Sequence, residues 1–245
     1  MANTTFLALT NKLLRRINEV EIAQADFASV RGVQALAKDA INASINEINS
    51  QEFEWPFNAS VYTQVLTAGT EQYSFASTVK SVNWDSFHLV KDDALGTNGL
   101  PLMHVSRDVR NRYFKNDDDN STTDGLNAPT YVWPDYTFGF GVSPSPDEAY
   151  TVTFEYYLKP VELSAYDSES TIPTIYDDTI VQGALYHLYM FRDNTEQADR
   201  AGTKYRQLIN RMRTILINND DRMRSTMIVR RTSSGGVISN DYFRY

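Results

Sequence analysis

Cysteine is absent from the 245 residues, and histidine occurs only three times, at His88, His104 and His187. The first absence excludes disulfides and thiolate metal ligands. The second leaves a zinc site or a Cys/His catalytic centre without the side chains it needs. No apolar run approaches the length that spans a bilayer, and Met1 to Thr5 has neither the basic nor the apolar region of a secretory signal. The expectation is a soluble product that stays where it is made and has no membrane partner. No Gly-rich phosphate loop, His-based nucleophile set or metal-ligand spacing occurs either. These gaps predict a protein that is not an enzyme, with no catalytic, metal or cofactor-binding residues and no cofactor, held together by packing or by assembly.

What is present is an ordinary globular supply of apolar residues, 42% of the chain, enough for one large domain or two small ones. Charge is spread unevenly. Residues 222–245 hold Arg222, Arg224, Arg230, Arg231 and Arg244 against Asp241, a local +4, so a net charge of -8 leaves -12 on residues 1–221. An acidic body argues against wrapping nucleic acid, whose affinity comes largely from Lys and Arg on phosphates.

The densest helical signal lies between Pro173 and Asn219. Ala198, Ala201, Tyr205, Leu208, Met212 and Ile215 recur at steps of three and four. Ahead of them Ile180, Ala184, Leu188 and Phe191, with Val181, Leu185 and Tyr189 alongside, cover a broad apolar arc. Thr179 with Gln182 reads as a capping box, and Asn194 with Gln197 as a second. Only Asp193, Asn194 and Thr195 join the two helices, which predicts an antiparallel hairpin.

At the other end of the chain, Thr4 or Thr5 caps a helix with Phe6, Leu9, Leu13, Leu14 and Ile17 on one face, fading near Val20. Ser29 caps a longer one, in which Val33, Leu36, Ala37, Ala40, Ile41, Ser44, Ile45 and Ile48 recur until Phe53, Trp55 and Pro56. Neither helix can bury its face alone, so the two ends of the chain are expected to close one bundle. Its expected core is Leu13, Ile17, Leu36, Ile41, Ile45, Ile48, Leu185, Leu188, Phe191, Tyr205, Leu208, Met212 and Ile215.

Between them the period changes to two. Ser60 to Thr67 and Gln72 to Ala76 flank the turn Ala68-Gly69-Thr70-Glu71, and Val79 to Leu89 and Thr130 to Pro134 are rich in β-branched and aromatic residues. Thr137 to Val142, the turn Pro144-Ser145-Pro146-Asp147 and Tyr150 to Leu158 predict a β-hairpin, with Val152, Phe154 and Tyr156 on one face. Val105 to Phe114 reads as a short helix capped at Ser106. The chain therefore divides into N-terminal bundle helices (1–57), an inserted antiparallel β-sandwich or barrel (58–160), a C-terminal helical hairpin (161–221) and an extended arm (222–245). The class is α+β.

Two acidic features invite chemistry. Asn116, Asp117, Asp118, Asp119 and Asn120 resemble the start of an EF-hand loop, but counting from Asp117 puts Thr122 at position six and Ala128 at position twelve, where Gly and Glu are needed. A solvated loop is the reading that remains. Asp177 and Asp178 suit the positive end of a helix better than acid or base chemistry. The arm mixes arginines with Met227, Ile228 and Val229, passes through Ser233-Ser234-Gly235-Gly236, and finishes in Tyr242, Phe243, Arg244 and Tyr245. Flexible composition ending in Arg and aromatic residues suggests a segment that orders on a partner.

An ordered set of features carries a resemblance. Phe6 to Ile17 form an amphipathic helix, and a second helix ends in Phe53-Glu54-Trp55-Pro56-Phe57. A β insertion follows with Ala128-Pro129-Thr130-Tyr131 and Val142-Ser143-Pro144-Ser145-Pro146-Asp147, and Ile172-Pro173 leads into Val181 to Phe191. The chain is similar to the head-to-tail adaptors of short-tailed bacteriophages, also called tail tubular protein A or gatekeeper-type connectors. The resemblance implies a helical bundle with a β insertion, no catalytic residues, and a homo-oligomeric, dodecameric ring. That ring would join the portal protein to the tail nozzle protein in the neck of the virion, around double-stranded DNA that passes without sequence-specific binding. Assembly would take place in the host cytoplasm. On that reading Arg222, Arg224, Arg230, Arg231, Tyr242, Phe243, Arg244 and Tyr245 are candidate portal-binding residues. Two rivals stand beside it: a tail component that binds or cleaves host glycans through its Tyr- and Trp-rich insertion, and a DNA-binding structural protein using the basic tail.

Overall fold

The computed structural model describes residues 3–52, 54–90, 99–114 and 126–217. Its fold is α+β: helices from both ends of the chain surround one apolar core, and the β part between them has a second core of its own.

Helix α1 (Phe6–Arg16) starts at Thr5, whose hydroxyl accepts from the Ala8 N–H, and ends with Arg15 and Arg16, which suit the negative end of the helix. It stops earlier than the apolar pattern suggested. Helix α2 (Val33–Gln51) is not capped by Ser29. Gly32 precedes it at φ 63, a conformation that glycine reaches without a Cβ clash, and the Ser29 hydroxyl instead donates to the Asp26 carbonyl in a preceding turn. A short, distorted helical segment begins with α3 (Arg107–Val109), to which Ser106 gives its hydroxyl as a cap.

The C-terminal hairpin consists of α4 (Asp177–Phe191) and α5 (Thr195–Leu216). Asn194 caps α5, accepting from Gln197 N–H at 3.3 Å. The expected box at Thr179 and Gln182 is absent, because α4 already begins at Asp177 after a 3-10 turn at Thr174–Tyr176. Thr179 and Gln182 are buried inside the helix, where Gln182 donates to the Ala201 carbonyl on α5. Helix α4 packs against both α2 and α5. The approach is close at Gly183, where an added Cβ would lie 2.3 Å from Ser44 Oγ and 2.7 Å from the Tyr205 ring.

Among the described residues the β part forms two four-stranded sheets. In the first, β8 (Thr151–Leu158) pairs antiparallel with β1 (Ala59–Val65), β3 (Val79–Val82) and β4 (His88–Leu89). In the second the order is β2 (Gln72–Ser74), β7 (Gly139–Ser143), β6 (Tyr131–Pro134) and β5 (Met103–His104); β5 and β6 run parallel and the other two pairs antiparallel. The predicted hairpin of Thr137 to Leu158 is therefore wrong. Strands β7 and β8 belong to different sheets, and the turn between them carries the chain across the core. Both present their apolar face to the same interior, where the Phe140 and Phe154 rings meet at 5.6 Å and Phe87 stacks on Phe154 at 4.4 Å. Alternation of period two names the buried face and leaves the partner strand open.

The two parts are tied where the chain passes between them. Lys80 on β3 donates to the Asn49 and Glu52 carbonyls at the end of α2. Asn58 donates to Asn49 Oδ1 and accepts from Thr171 Oγ1 at 2.8 Å, while Asn42 and the Leu163 backbone exchange two hydrogen bonds of 3.0 and 3.1 Å.

Candidate assembly interface

The C-terminal hairpin is positioned by charge as well as by its seam. Asp177, almost buried at the start of α4, pairs with Lys12 and accepts from Thr4 Oγ1 at 2.6 Å; Asp178 pairs with Arg16. The helix N-terminus favours both carboxylates, and α1 supplies their counter-charges.

Of the expected core, Leu13, Ile41, Ile45, Ile48, Leu185, Leu188, Tyr205 and Met212 are buried, and Ile17, Leu36 and Leu208 are half-buried. Phe191 and Ile215 are corrections: they are 73% and 64% exposed. Phe191 is the last residue of α4, and burial falls away after Leu188. On α5 a strict alternation of three and four assumes 3.5 residues per turn, and a straight helix at 3.6 drifts off that line. The buried line runs Tyr205, Ile209, Met212, so Ile209 takes the place assigned to Leu208 and Ile215 turns outward. A second step of four after Tyr205 is the signal that marks Ile209.

Apolar side chains are consequently left exposed at both ends of the hairpin. At the turn end are Met190 and Phe191, and the Arg192–Glu19 pair, at 3.1 Å, brings the segment carrying exposed Val20 beside them. At the open end Ile175, 78% exposed, and Ile215 border a hollow of about 300 Å3 that Tyr176, Asp178, Thr179, Leu208, Arg211 and Met212 also line.

The sandwich exposes apolar groups as well: Val61 and Val65 on β1, and Tyr136 and Phe138 at the β6–β7 turn. The Arg107 guanidinium lies 3.2 Å from the Tyr136 ring centroid and donates to the Pro134 carbonyl. Arg110 lies over Trp133 and pairs with Glu71. Trp133 in turn occupies the space above Gly141, where any Cβ would fall 2.0 Å from its ring.

The perturbed titrations have packing causes. Burial, helped by a hydrogen bond to Asp147, pushes the Tyr150 phenol up to about 12, and burial likewise pushes Tyr205 upward. Desolvation lowers Lys80 at the junction. Among the described residues no three His, Asp or Glu side chains are grouped to hold a metal ion, and no helix is long and apolar enough to cross a membrane. The candidate portal-binding residues Arg222, Arg224, Arg230, Arg231, Tyr242, Phe243, Arg244 and Tyr245 lie outside the described residues, as do Phe53 and the Asp-rich loop at 116–120.

A helical bundle interrupted by a β-sandwich, with apolar groups exposed on both parts, has the character of a structural module that binds other proteins. Residues 4–232 match the model of the SU10 adaptor protein family, and the chain belongs to that family. It is a bacteriophage adaptor, a structural protein of the particle. A comparison with curated proteins found no match.

Proposed function

We propose that this adaptor forms a closed ring, dodecameric in the manner of the tail tubular and gatekeeper-type connectors it resembles, between the portal protein and the tail nozzle protein in the virion neck. The observation that carries the reading is the family match across 4–232, which spans the bundle, the sandwich and part of the arm. A ring of identical wedges needs two unlike surfaces on each copy. The arm, with Arg222, Arg224, Arg230, Arg231, Tyr242, Phe243, Arg244 and Tyr245, runs onto the portal, its guanidiniums on acidic groups and its aromatics in pockets. The charge of -12 on residues 1–221 supports a channel that repels phosphates and lets double-stranded DNA slide. The copies meet the portal in the host cytoplasm, and the portal templates the ring.

The test is the solution mass of the full chain, alone and mixed with the portal protein of its own genome, beside a chain ending at Asp221. A large, defined stoichiometry for the full chain and none for the shortened one is the expected result. Failure of both chains to bind the portal would overturn the reading.

A further inference from the structure

Strand β1 is a long sheet edge that no other strand among the described residues covers. It pairs with β8 alone, in unbroken register from Ala59 opposite Tyr157 to Val65 opposite Thr151. The next bond of that ladder runs from the Leu66 N–H to the Tyr150 carbonyl. In an antiparallel pair the even-numbered residues of β1 therefore bond β8, and Val61, Thr63 and Val65 turn their N–H and C=O groups to the open side. Only the Val65 carbonyl is met there, by the Gln64 amide. Such an edge invites another strand, and proteins ordinarily blunt it with charge, proline, a bulge or brevity. Strand β3 has Lys80 and a register shift, while β2, β4 and β5 have three residues or two. Ala59-Ser60-Val61-Tyr62-Thr63-Gln64-Val65 has none of these devices, and Val61 and Val65 are 64% and 56% exposed.

We propose that residues 226–232 of the same chain add to this edge as a further strand. Thr226-Met227-Ile228-Val229-Arg230-Arg231-Thr232 is rich in β-branched residues, contains neither glycine nor proline, and is followed by Ser233-Ser234-Gly235-Gly236. The family match runs on past α5 and ends at residue 232, on the last residue of that stretch. The exit of α5 and the entry to β1 meet at the end of α2: Arg213 donates to the Gln51 carbonyl at 3.1 Å and pairs with Glu52 at 3.0 Å, and Asn58 donates to Asn49 Oδ1. From Ile217 to Thr226 an extended chain covers about 30 Å, more than the ~10–12 Å width of a helix, so the segment reaches the β1 of its own copy. A link this short gives an effective concentration on the order of millimolar, ahead of any second copy in dilute solution.

The chemistry of the two strands agrees. The β1–β8 pair bears one charge, Glu155, opposite Val61, and the segment brings Arg230 and Arg231 without an acid. Lys80 and Lys159 stand on the β3 side of β8. Alternation sets Met227 and Val229 on one face of the segment and Ile228 on the other, so either facing brings an apolar side chain to the face that Val61 and Val65 leave bare. The seat belongs to a single copy and does not depend on the ring. Tyr242 to Tyr245, beyond Gly236, stay available to a partner.

Amide hydrogen exchange of the full chain without portal, followed by NMR, reads the edge directly. The docking predicts exchange at Val61 and Thr63 at least about tenfold slower than in a full-length Ile228→Pro, Val229→Pro variant, whose two prolines take away a ladder donor in either facing. Tyr62 and Gln64, bonded to β8, should exchange alike in both. Equal rates at Val61 and Thr63 in the two chains overturn the proposal: fast rates leave the edge bare, and slow rates give it to another segment. Protection that grows with protein concentration gives the edge to a second copy and overturns it as well.

Discussion

Substituting Gly183 by alanine sets two effects of known sign against each other. A glycine inside a helix costs about 1 kcal/mol relative to alanine, so propensity alone makes Gly183→Ala stabilising. The surroundings oppose it. The new methyl would lie 2.3 Å from Ser44 Oγ and 2.7 Å from a Tyr205 ring carbon, both well inside contact distance, and Ser44 and Tyr205 are buried. Overpacking of this kind costs about 1–3 kcal/mol. Rotating Ser44 away surrenders its 2.8 Å hydrogen bond to the Ile180 carbonyl, a further loss of about 1 kcal/mol. The unfavourable terms win, and the net destabilisation is about 1–3 kcal/mol, or a Tm about 4–8 °C lower for a loss of 2 kcal/mol in a chain of this size. Urea unfolding followed by far-ultraviolet circular dichroism measures it. Adding Ser44→Ala removes the nearest obstacle and should recover part of the loss, with a coupling that single-site additivity does not give. A Gly183→Ala protein as stable as the parent, or more so, would refute the close approach of α2, α4 and α5.

Three further outcomes follow from the same geometry. Ile209→Ala should cost about 2–5 kcal/mol, because it empties a buried site, while Phe191→Ala should stay within about 0.5 kcal/mol in the isolated chain; equal losses in thermal melts would contradict the burial of α5. Gly141→Ala drives a methyl into the Trp133 ring and should destabilise by about 1–3 kcal/mol with a change in tryptophan emission; unchanged emission and stability would count against that packing. Because the Tyr150 phenol is raised from 10.0 to about 12 on folding, its contribution to stability is complete below pH 10 and is lost as pH rises toward 12. Alkaline titration of the unfolding free energy should fall less steeply over that window in Tyr150→Phe, and identical slopes would exclude the residue as a cause.

Much of the helical architecture is legible without coordinates, since Thr5, Asn194 and the short link after α4 act through neighbours in sequence. What sequence misplaced depends on partners far along the chain. Strand β7 alternates Phe140 and Val142 toward the core whichever strand lies beside it, so a tight turn into Tyr150 looked like a hairpin when the chain was changing sheets. Gly32 outranks Ser29 as the entry to α2 because backbone geometry, not a side-chain acceptor, makes the bend. Phe191 and Ile215 carry the apolar periodicity of core residues, and periodicity cannot distinguish a side chain that faces its own fold from one that faces another molecule.

The junction at Lys80 has a mechanical meaning. Helix α2 has no basic residue in its last turn, and its end carbonyls are met from two sides, by the Lys80 ammonium of β3 at Asn49 and Glu52 and by the Arg213 guanidinium of α5 at Gln51. The sandwich thus shares with the bundle the closing of α2, and Asn58 and Asn42 clamp the two stretches of chain that lead in and out. A sideways load on the sandwich therefore reaches the bundle through the end of α2, at Lys80, as well as along the chain.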